Sequence, residues 1–307
     1  MKKLFLSIFI LAGFTCGVFG QVQTGQENGA QEERRAPVER DHSTAPDRYY
    51  LNYGEKPFGD VTKETTKRHI PQYFDILCAG FPCQAFSIAG YQLGFQDARG
   101  TLFFDVAEIV SRHRPKAIFL ENVKNLKTHD NGKTYKLIKH SLEELGYVVF
   151  EKIMSPDEYA NIPHHRERIF IICFDPIQVP NYTDFKFPQK TALTNTIQQY
   201  INQNENDERF FYTEKNLHYA EMNDGIKSKD TIYQWRRTYV RENKSNCCPT
   251  LTANMGTGGH NVPLIRTDLG IRKLTPKECL NFQGFPNAFV FPKNIPTSAC
   301  YKQAHIF

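Results

Sequence analysis

The chain has 307 residues, of which 40% are hydrophobic and 23% are charged, a composition that is typical of a globular protein and excludes a disordered one. The formal net charge of +5 permits a polyanionic partner but does not require one. The eight cysteines include no CxxC pair and match neither a zinc site nor a disulfide framework, so we predict no metal site and a reduced, cytoplasmic protein.

The first 20 residues, MKKLFLSIFILAGFTCGVFG, support two interpretations. Lys2 and Lys3, the apolar run and the small residues after it resemble a secretory signal. The same run is also typical of a buried first strand in an α/β sheet. Residues 21–48 are polar and carry charge runs without an apolar period, which predicts a loop or a disordered segment. No interior segment predicts a transmembrane span.

Residues 74–174 alternate between strand patterns and helix patterns. Short apolar runs predict buried strands at 74–80 and 116–123 and two more strands at 147–154 and 168–174. Apolar residues at helical spacing predict helices at 101–113 and 133–146, the second capped by Gly146. Their predicted core positions are Leu102, Val106, Ile109, Val110, Tyr135, Ile138, Leu142 and Leu145. This alternation indicates a parallel βαβ sheet, which binds ligands beyond the carboxyl ends of its strands.

The pattern changes after residue 174. Residues 175–260 are richer in Asn, Gln, Lys, Thr and Tyr and have weak periodicity, which indicates a second, less regular domain. Within it, QWRRTYVRENK (234–244) is basic with interleaved aromatic residues, and NMGTGGHN (254–261) is a glycine-rich loop.

A cysteine and a glutamate fall at the ends of two neighbouring strands. Cys83 follows Pro82 on a stiff, exposed turn, where nearby amides favour the thiolate; the alternative is a structural loop cysteine. Glu121, in the segment LENV, lies close to Cys83 if the strands are parallel neighbours. A cysteine and a carboxylate suit nucleophilic attack on a ring that accepts a proton; the alternative is a solvated glutamate.

Two arginines precede the strand at 168–174, within IPHHRERIFIICF (162–174). Arg166 and Arg168 are two residues apart, and guanidinium groups bind a phosphate or a base edge well. The alternative is a strand entry held by salt bridges.

Together, GFPCQ, ENV and R-x-R, in this order and at this spacing, strongly resemble the DNA cytosine-C5 methyltransferase family of bacterial type II restriction-modification systems. Further segments resemble it as well, over about residues 39–303: YLNYGEKPFGDVT (50–62), GFQDARGTLFFDVAEIV (94–110), CPTLTANMGTGGH (248–260) and RKLTPKECLNFQGFP (272–286).

The resemblance implies an α/β fold: a Rossmann-like S-adenosylmethionine-dependent methyltransferase sheet with a smaller, irregular target-recognition domain. The ranges expected are 1–48 for an atypical N-terminal segment, 49–174 for the catalytic domain, 175–271 for target recognition, and 272–307 for a late motif and a shortened C-terminal segment.

The resemblance also implies a mechanism. A cytosine is flipped out of the duplex, the Cys83 thiolate adds to C6, Glu121 hydrogen-bonds or protonates N3, and C5 takes the methyl group from S-adenosylmethionine. The implied catalytic residues are Cys83, Pro82, Glu121, Asn122, Arg166 and Arg168. Those implied for the methyl donor are Gly13, Glu39, Asp60 and Leu102. Those implied for DNA are Gln84, Ser87, Arg236, Arg237, Thr250 and Gly258.

The implied partner is double-stranded DNA, bound by a monomer with a possible cognate restriction endonuclease and no membrane association.

Three departures from the family pattern stand out: FILAGFTCG (9–17) lacks the acidic residue and the glycine pair of the donor turn, His164 replaces a glutamine, and YKQA (301–304) is followed by HIF. Because both ends contribute to the donor site, we hypothesise a damaged or frame-altered product with impaired methylation.

Three alternatives remain open at this point. The first is an RNA cytosine-C5 methyltransferase with the same motifs, although the long recognition region favours DNA. The second is a remnant that binds DNA and lacks a cofactor pocket. The third is a secreted protein, which rests on residues 1–20 alone.

Overall fold

The computed structural model describes residues 5–10, 16–21, 44–83, 102–253, 255 and 259–304. The chain forms two compact units. The first comprises Met1–Lys152 and Ile169–Lys186, and the second comprises Ile153–Arg168 and Phe187–Phe307.

A mainly parallel sheet is the framework of the first unit. Its strands are β1 (Phe5–Ile10), β2 (Cys16–Gln21), β3 (Ile76–Gly80), β4 (Ala117–Val123), β5 (Val148–Met154) and β6 (Arg168–Phe174). They lie in the order β2-β1-β3-β4-β6-β5. Strands β1, β3 and β4 pair in parallel, and β2 pairs antiparallel with β1. The predicted strands are confirmed, and residues 5–10 form a strand beside β3, as the strand interpretation of the N-terminus predicts.

Four helices of the described residues belong to this unit: α1 (Thr44–Tyr53), α2 (Glu64–Lys67), α3 (Leu102–His113) and α4 (Lys133–Glu144). The expectation of a loop or disorder up to residue 48 was wrong for its end, because α1 begins at Thr44. Pro46 lies in the first turn, where a missing N–H costs no hydrogen bond. This helix leaves Tyr50, Leu51 and Tyr53 exposed, which is why it has no clear apolar period.

The core of the first unit lies between the sheet and helices α3 and α4. Phe103, Val106, Ile109 and Val110 of α3 are buried, as are Tyr135, Ile138 and Leu142 of α4. They share one cluster with Leu77 of β3 and with Ile118 and Leu120 of β4. Each fully buried aliphatic side chain contributes roughly 2 kcal/mol. Gly146 has φ +85° and ends the α4 segment, as predicted.

The second unit contains a small antiparallel sheet, of strands β7 (Tyr233–Trp235), β8 (Val240–Glu242), β9 (Pro263–Thr267) and β10 (Gly270–Lys273) in the order β10-β9-β7-β8. Its helices are α5 (Pro156–Tyr159), α6 (Tyr219–Gly225), α7 (Pro276–Phe282) and α8 (Thr297–Ala304). Short 3-10 turns occur in this unit at Ile197–Tyr200 and Glu208–Phe210, and in the first unit at Lys124–Lys127, His129–Gly132 and Tyr182–Asp184.

Two apolar clusters stabilise this unit. One packs α7 and α8 around Phe282 and Tyr301, and the other packs α6 against the small sheet around Met222 and Ile271. Within the described ranges, no helix has the length and apolar character needed to cross a membrane.

Candidate active site

The carboxyl ends of β3 and β4 bring the two predicted reactive residues to one edge of the sheet. Gly80, the last residue of β3, pairs with Glu121 of β4. A Cβ atom added to Gly80 would lie 3.7 Å from Oε2 of Glu121, so the carboxylate lies against the β3 backbone. Cys83 follows three residues later, half-buried and packed against the core of the first unit. The predicted proximity of the strand ends is therefore present in the structure.

Asn122 fastens the cysteine loop to the end of β4. Its Nδ2 donates a hydrogen bond of 2.7 Å to the carbonyl of Phe81, two residues before Cys83. Its Oδ1 accepts a hydrogen bond of 2.8 Å from the backbone N–H of Val123. Asn122 is 3% exposed, and its bond to Phe81 is shielded from water. The Phe81 ring packs on Phe103 with centroids 5.5 Å apart, which holds the loop from the other side.

Within the described residues, burial of Cys83 acts against the thiolate form. Burial raises the pKa of the Cys83 thiol, because ionisation in a partly dry site lacks hydration. The expectation that nearby amides favour the thiolate stays a prediction, because residues 84–100, which follow Cys83 directly, lie outside the described residues. Pro82 is half-buried and removes one backbone N–H from this turn. Activation of the thiol then requires that its proton leave during the reaction.

Asp60 is held near the first turn of α3. Its Oδ1 accepts hydrogen bonds from the backbone N–H of Thr62 at 3.0 Å and from its hydroxyl at 2.8 Å, an Asx-turn. Burial raises the pKa of Asp105, in the first turn of α3, and the hydrogen bond and charge of Lys67 lower it. The negative charge of Asp60 adds to the rise, so Asp60 lies close enough to Asp105 for the two charges to interact. Leu102, half-buried, begins the same helix. The two described donor-site candidates are thus brought to one region.

In the second unit, a polar network orders the segment before β6. The backbone N–H of Arg166 donates to Oγ of Ser155 at 3.0 Å. Nδ1 of His165 lies 2.9 Å from Oδ2 of Asp157. Burial alone would raise the pKa of Asp157, but hydrogen bonds from Ser155 and His165 lower it. The hydroxyl of Thr250 donates to the carbonyl of His165 at 2.8 Å, which places Thr250 beside Arg166.

Arg168 opens β6, and its Nη1 donates to the carbonyl of Glu167 at 2.8 Å. His164, where the family pattern has glutamine, is fully buried, and its Nδ1 lies 2.9 Å from the carbonyl of Phe282. That contact joins the segment to the end of α7, so the histidine has a packing role here.

The basic segment at 234–244 forms a hairpin of β7 and β8. Nη1 of Arg236 donates to Oδ1 of Asn261 at 2.8 Å, whereas Arg237 is exposed with φ +70°. Trp235 stacks on His218 with ring centroids 4.9 Å apart. The predicted aromatic and basic residues are thus divided between packing inside the unit and exposure at its surface.

Five predicted residues lie outside the described residues: Gly13, Glu39, Gln84, Ser87 and Gly258. Among the residues that are described, no group of three His, Cys, Asp or Glu side chains could hold a metal ion.

The sequence analysis missed Thr62 and Asn261, which orient site residues through hydrogen bonds. An aspartate two residues before a threonine is a recognisable Asx-turn signal, whereas nothing in the sequence pairs Asn261 with Arg236.

Comparison with known proteins gives one consistent result. The family model for C-5 cytosine-specific DNA methylase matches residues 16–304. The type II methyltransferase M.Bsp6I of Bacillus sp. (strain RFL6) is 50% identical over 259 residues, which cover 83% of this chain and 81% of that protein. M.HpaII of Haemophilus parainfluenzae is 40% identical over 280 residues, covering 83% of this chain and 74% of that protein.

Solved structures resemble the chain in fold. The Schizosaccharomyces pombe (S. pombe) Dnmt2 methyltransferase has a TM-score of 0.58 at 15% identity, over 87% of this chain and 83% of that one. A Spodoptera frugiperda DNMT2 mutant has a TM-score of 0.57 at 18% identity, over 86% and 85% of the two chains. At this level of identity the likeness concerns the fold alone, and it confirms the predicted α/β methyltransferase fold.

Proposed function

The chain belongs to the C-5 cytosine-specific DNA methylase family, an enzyme family, and we propose that it transfers a methyl group from S-adenosylmethionine to C5 of a flipped cytosine in a specific duplex DNA site. The observation that carries this proposal is that Glu121 and the segment leading to Cys83 lie at the carboxyl ends of two adjacent parallel strands, with Asn122 bonded to Phe81 of that segment. That arrangement supplies a nucleophile and a proton donor on one edge of the sheet.

The chain's own residues account for the activation of the ring. The Cys83 thiol releases its proton, and the thiolate forms a bond to C6 of the cytosine. Glu121 gives a proton to N3 as the C5–C6 double bond opens, so that negative charge does not build up on the ring. S-adenosylmethionine, when bound, supplies an electrophilic methyl group to C5. Loss of the C5 proton to water then expels the Cys83 thiolate and restores the ring, and N3 returns its proton to Glu121.

Asp60 and Leu102 fit a methyl donor that carries an adenosine group. The Asx-turn with Thr62 fixes the orientation of the Asp60 carboxylate, which suits the exocyclic amino group of an adenine. Leu102 offers an apolar side chain at the start of α3. Gly13 and Glu39 complete the proposed donor site from the sequence resemblance.

Residues from the ranges of both units supply the proposed DNA contacts. Arg166 and Arg168 hold the flipped nucleotide and its phosphate, which planar guanidinium groups suit. The resemblance assigns the remaining DNA contacts to the segment that carries Arg236 and Arg237 and to Thr250, Gly258, Gln84 and Ser87. We propose that the chain acts as a cytoplasmic monomer without membrane association, alongside a cognate restriction endonuclease that cuts the unmethylated site.

The test measures methyl transfer from radiolabelled S-adenosylmethionine to plasmid DNA prepared without cytosine methylation, with modified positions mapped by bisulfite sequencing. Cys83→Ala should lower transfer by at least about 10³-fold, because the nucleophile is gone. Cys78→Ala is the matched control: Cys78 is a half-buried β3 cysteine whose pKa burial raises to about 11, and its loss should leave transfer in place.

The outcomes separate the alternatives. Transfer to a defined duplex site that Cys83→Ala abolishes supports the proposal, whereas transfer to tRNA and not to duplex DNA would assign an RNA substrate. Calorimetric titration with S-adenosylmethionine addresses the departures from the family at residues 9–17 and 305–307. Binding to plasmid DNA without measurable binding of the methyl donor would identify a DNA-binding remnant and contradict the proposed activity.

A further inference from the structure

Two side chains of the β7–β8 hairpin donate hydrogen bonds to one asparagine, Asn261, at the end of the glycine-rich loop. Nη1 of Arg236 donates a 2.8 Å hydrogen bond to Oδ1 of Asn261. Nε2 of Gln234 donates a 3.0 Å hydrogen bond to the Asn261 carbonyl. Gln234 is 5% exposed, and Arg236 and Asn261 are half-buried, so these bonds are only partly open to water.

These two hydrogen bonds lie where the backbone hydrogen bonding between β7 and β9 ends. Gln234 of β7 pairs with Pro263, the first residue of β9, and a proline has no N–H to donate to the ladder. The next N–H back along the chain, that of Val262, donates to the carbonyl of Gly259, within its own loop. The side chains of Gln234 and Arg236 therefore take over the connection between β7 and the loop end.

The two consecutive arginines have different environments. The backbone N–H of Arg236 donates to the carbonyl of Tyr239 at 2.8 Å and closes the hairpin turn, while its side chain reaches Asn261. Arg237 is exposed and has φ +70°, a left-handed conformation that directs the chain around the turn. The bond to Asn261 thus connects the hairpin turn to the loop end at Gly259–Asn261.

We propose that Arg236 and Asn261 form a positioning pair that fixes the hairpin turn relative to the end of the glycine-rich loop, and through this placement sets which DNA sequence is methylated. The inference rests on the proposed function and refines it, because it assigns Arg236 to orientation of the recognition surface and leaves phosphate contact to Arg237. A hydrogen bond from a cation to a partly buried amide oxygen is strong enough to keep the hairpin turn and the loop end in this arrangement.

The test compares full-length variants on the same unmethylated plasmid DNA. Site preference is the rate of methylation at the favoured sequence divided by the rate at other cytosines, from bisulfite sequencing. The variants are Arg236→Met, Asn261→Ala, their double mutant and Arg237→Met. Asn223→Ala is the matched control, since Oδ1 of Asn223 accepts a 2.9 Å bond from Nη1 of Arg266 in the same unit. The salt dependence of plasmid binding is measured for each.

Arg236→Met and Asn261→Ala should each lower site preference about tenfold, the scale of one mismatched base pair, and the double mutant should lose no more than either single variant. Neither should change the salt slope of binding, whereas Arg237→Met should reduce it by about 1. Asn223→Ala should leave site preference unchanged, which separates positioning from loss of a comparable bond elsewhere.

Two results would overturn the inference. In the first, Arg236→Met reduces the salt slope and Asn261→Ala leaves site preference intact, which would make Arg236 a phosphate contact. In the second, Asn223→Ala relaxes site preference as much as Asn261→Ala, which would make the effect one of general stability. A wild-type chain that methylates no cytosine would instead contradict the proposed function. The role proposed for the pair would then be contradicted as well.

Discussion

At the residue scale, Asn122 connects the end of β4, which carries Glu121, to the segment after β3 that carries Cys83. Asn122→Ala removes the 2.7 Å bond to the Phe81 carbonyl and leaves a buried acceptor without that donor. We expect a loss of about 1–3 kcal/mol in the free energy of unfolding, measured by urea denaturation. Methyl transfer should fall further than this destabilisation explains, because a displaced loop moves Cys83 away from its attack position.

Asn125→Ala is the matched control for that variant. Asn125 is exposed, only three residues beyond Asn122, and its replacement should change neither unfolding nor methyl transfer by a measurable amount. If Asn122→Ala kept the wild-type methylation rate, the bond to Phe81 would have no part in placing the cysteine.

The sequence predicted which residues occupy this edge but not how they are held. Cys83, Glu121 and Asn122 were placed at strand ends because apolar runs mark β3 and β4, and parallel strands end at one edge. The bond between Asn122 and Phe81 joins positions 41 residues apart, and local patterns carry no information on such pairings. The raised pKa of Cys83 likewise depends on burial by residues distant in sequence.

At the element scale, a buried ion pair joins β10 to α7. Nη2 and Nη1 of Arg272 donate to Oε1 and Oε2 of Glu278 at 2.7 and 2.8 Å, and the two residues are 0% and 2% exposed. Glu278 also accepts from the N–H groups of Thr275 and Asn202, each at 2.7 Å. One carboxylate therefore caps α7, holds the segment at Asn202 and neutralises the arginine.

Glu278→Gln should lower the free energy of unfolding by about 3–5 kcal/mol, because it leaves the Arg272 charge buried and uncompensated. Asp224→Asn is the control: its ion pair with Lys227, 3.3 Å long, lies on the surface of the same unit and should contribute about 0–1 kcal/mol. Urea denaturation of both variants tests the difference. Equal, small effects would show that the buried pair does not stabilise the second unit.

Regular elements were predictable where one physical pattern dominates. The strands β3 to β6 carry short apolar runs in the sequence, and the helices α3 and α4 bury one helical face, so their positions follow from hydrophobic patterns. The strands of the second unit are three to five residues long and mix polar with apolar side chains, so no period marks them. Their pairing depends on tertiary contacts with α6 and α7.

At the scale of the whole molecule, buried thiols occur in both units. Burial raises the pKa of Cys78 to about 11, and burial together with the charge of Asp157 does the same for Cys247. Burial also raises the pKa of three further thiols, which are buried: Cys173, Cys248 and Cys279. Because these values lie above those of an unfolded chain, the folded protein holds these protons more tightly.

The stabilisation due to Cys78 and Cys247 is complete below about pH 8.5 and is lost as the pH rises through about 11, so the free energy of unfolding should fall over that interval. Burial lowers the pKa of Lys273 and Lys277, which opposes the trend, so the thiol contribution is isolated by comparing slopes. Urea denaturation across this interval should give a shallower fall for Cys247→Ala than for the wild type. Ser141→Ala removes a buried hydroxyl that does not ionise there and should shift the curve without changing its slope. Parallel curves for wild type and Cys247→Ala would show that this thiol ionises equally in the folded and unfolded chains.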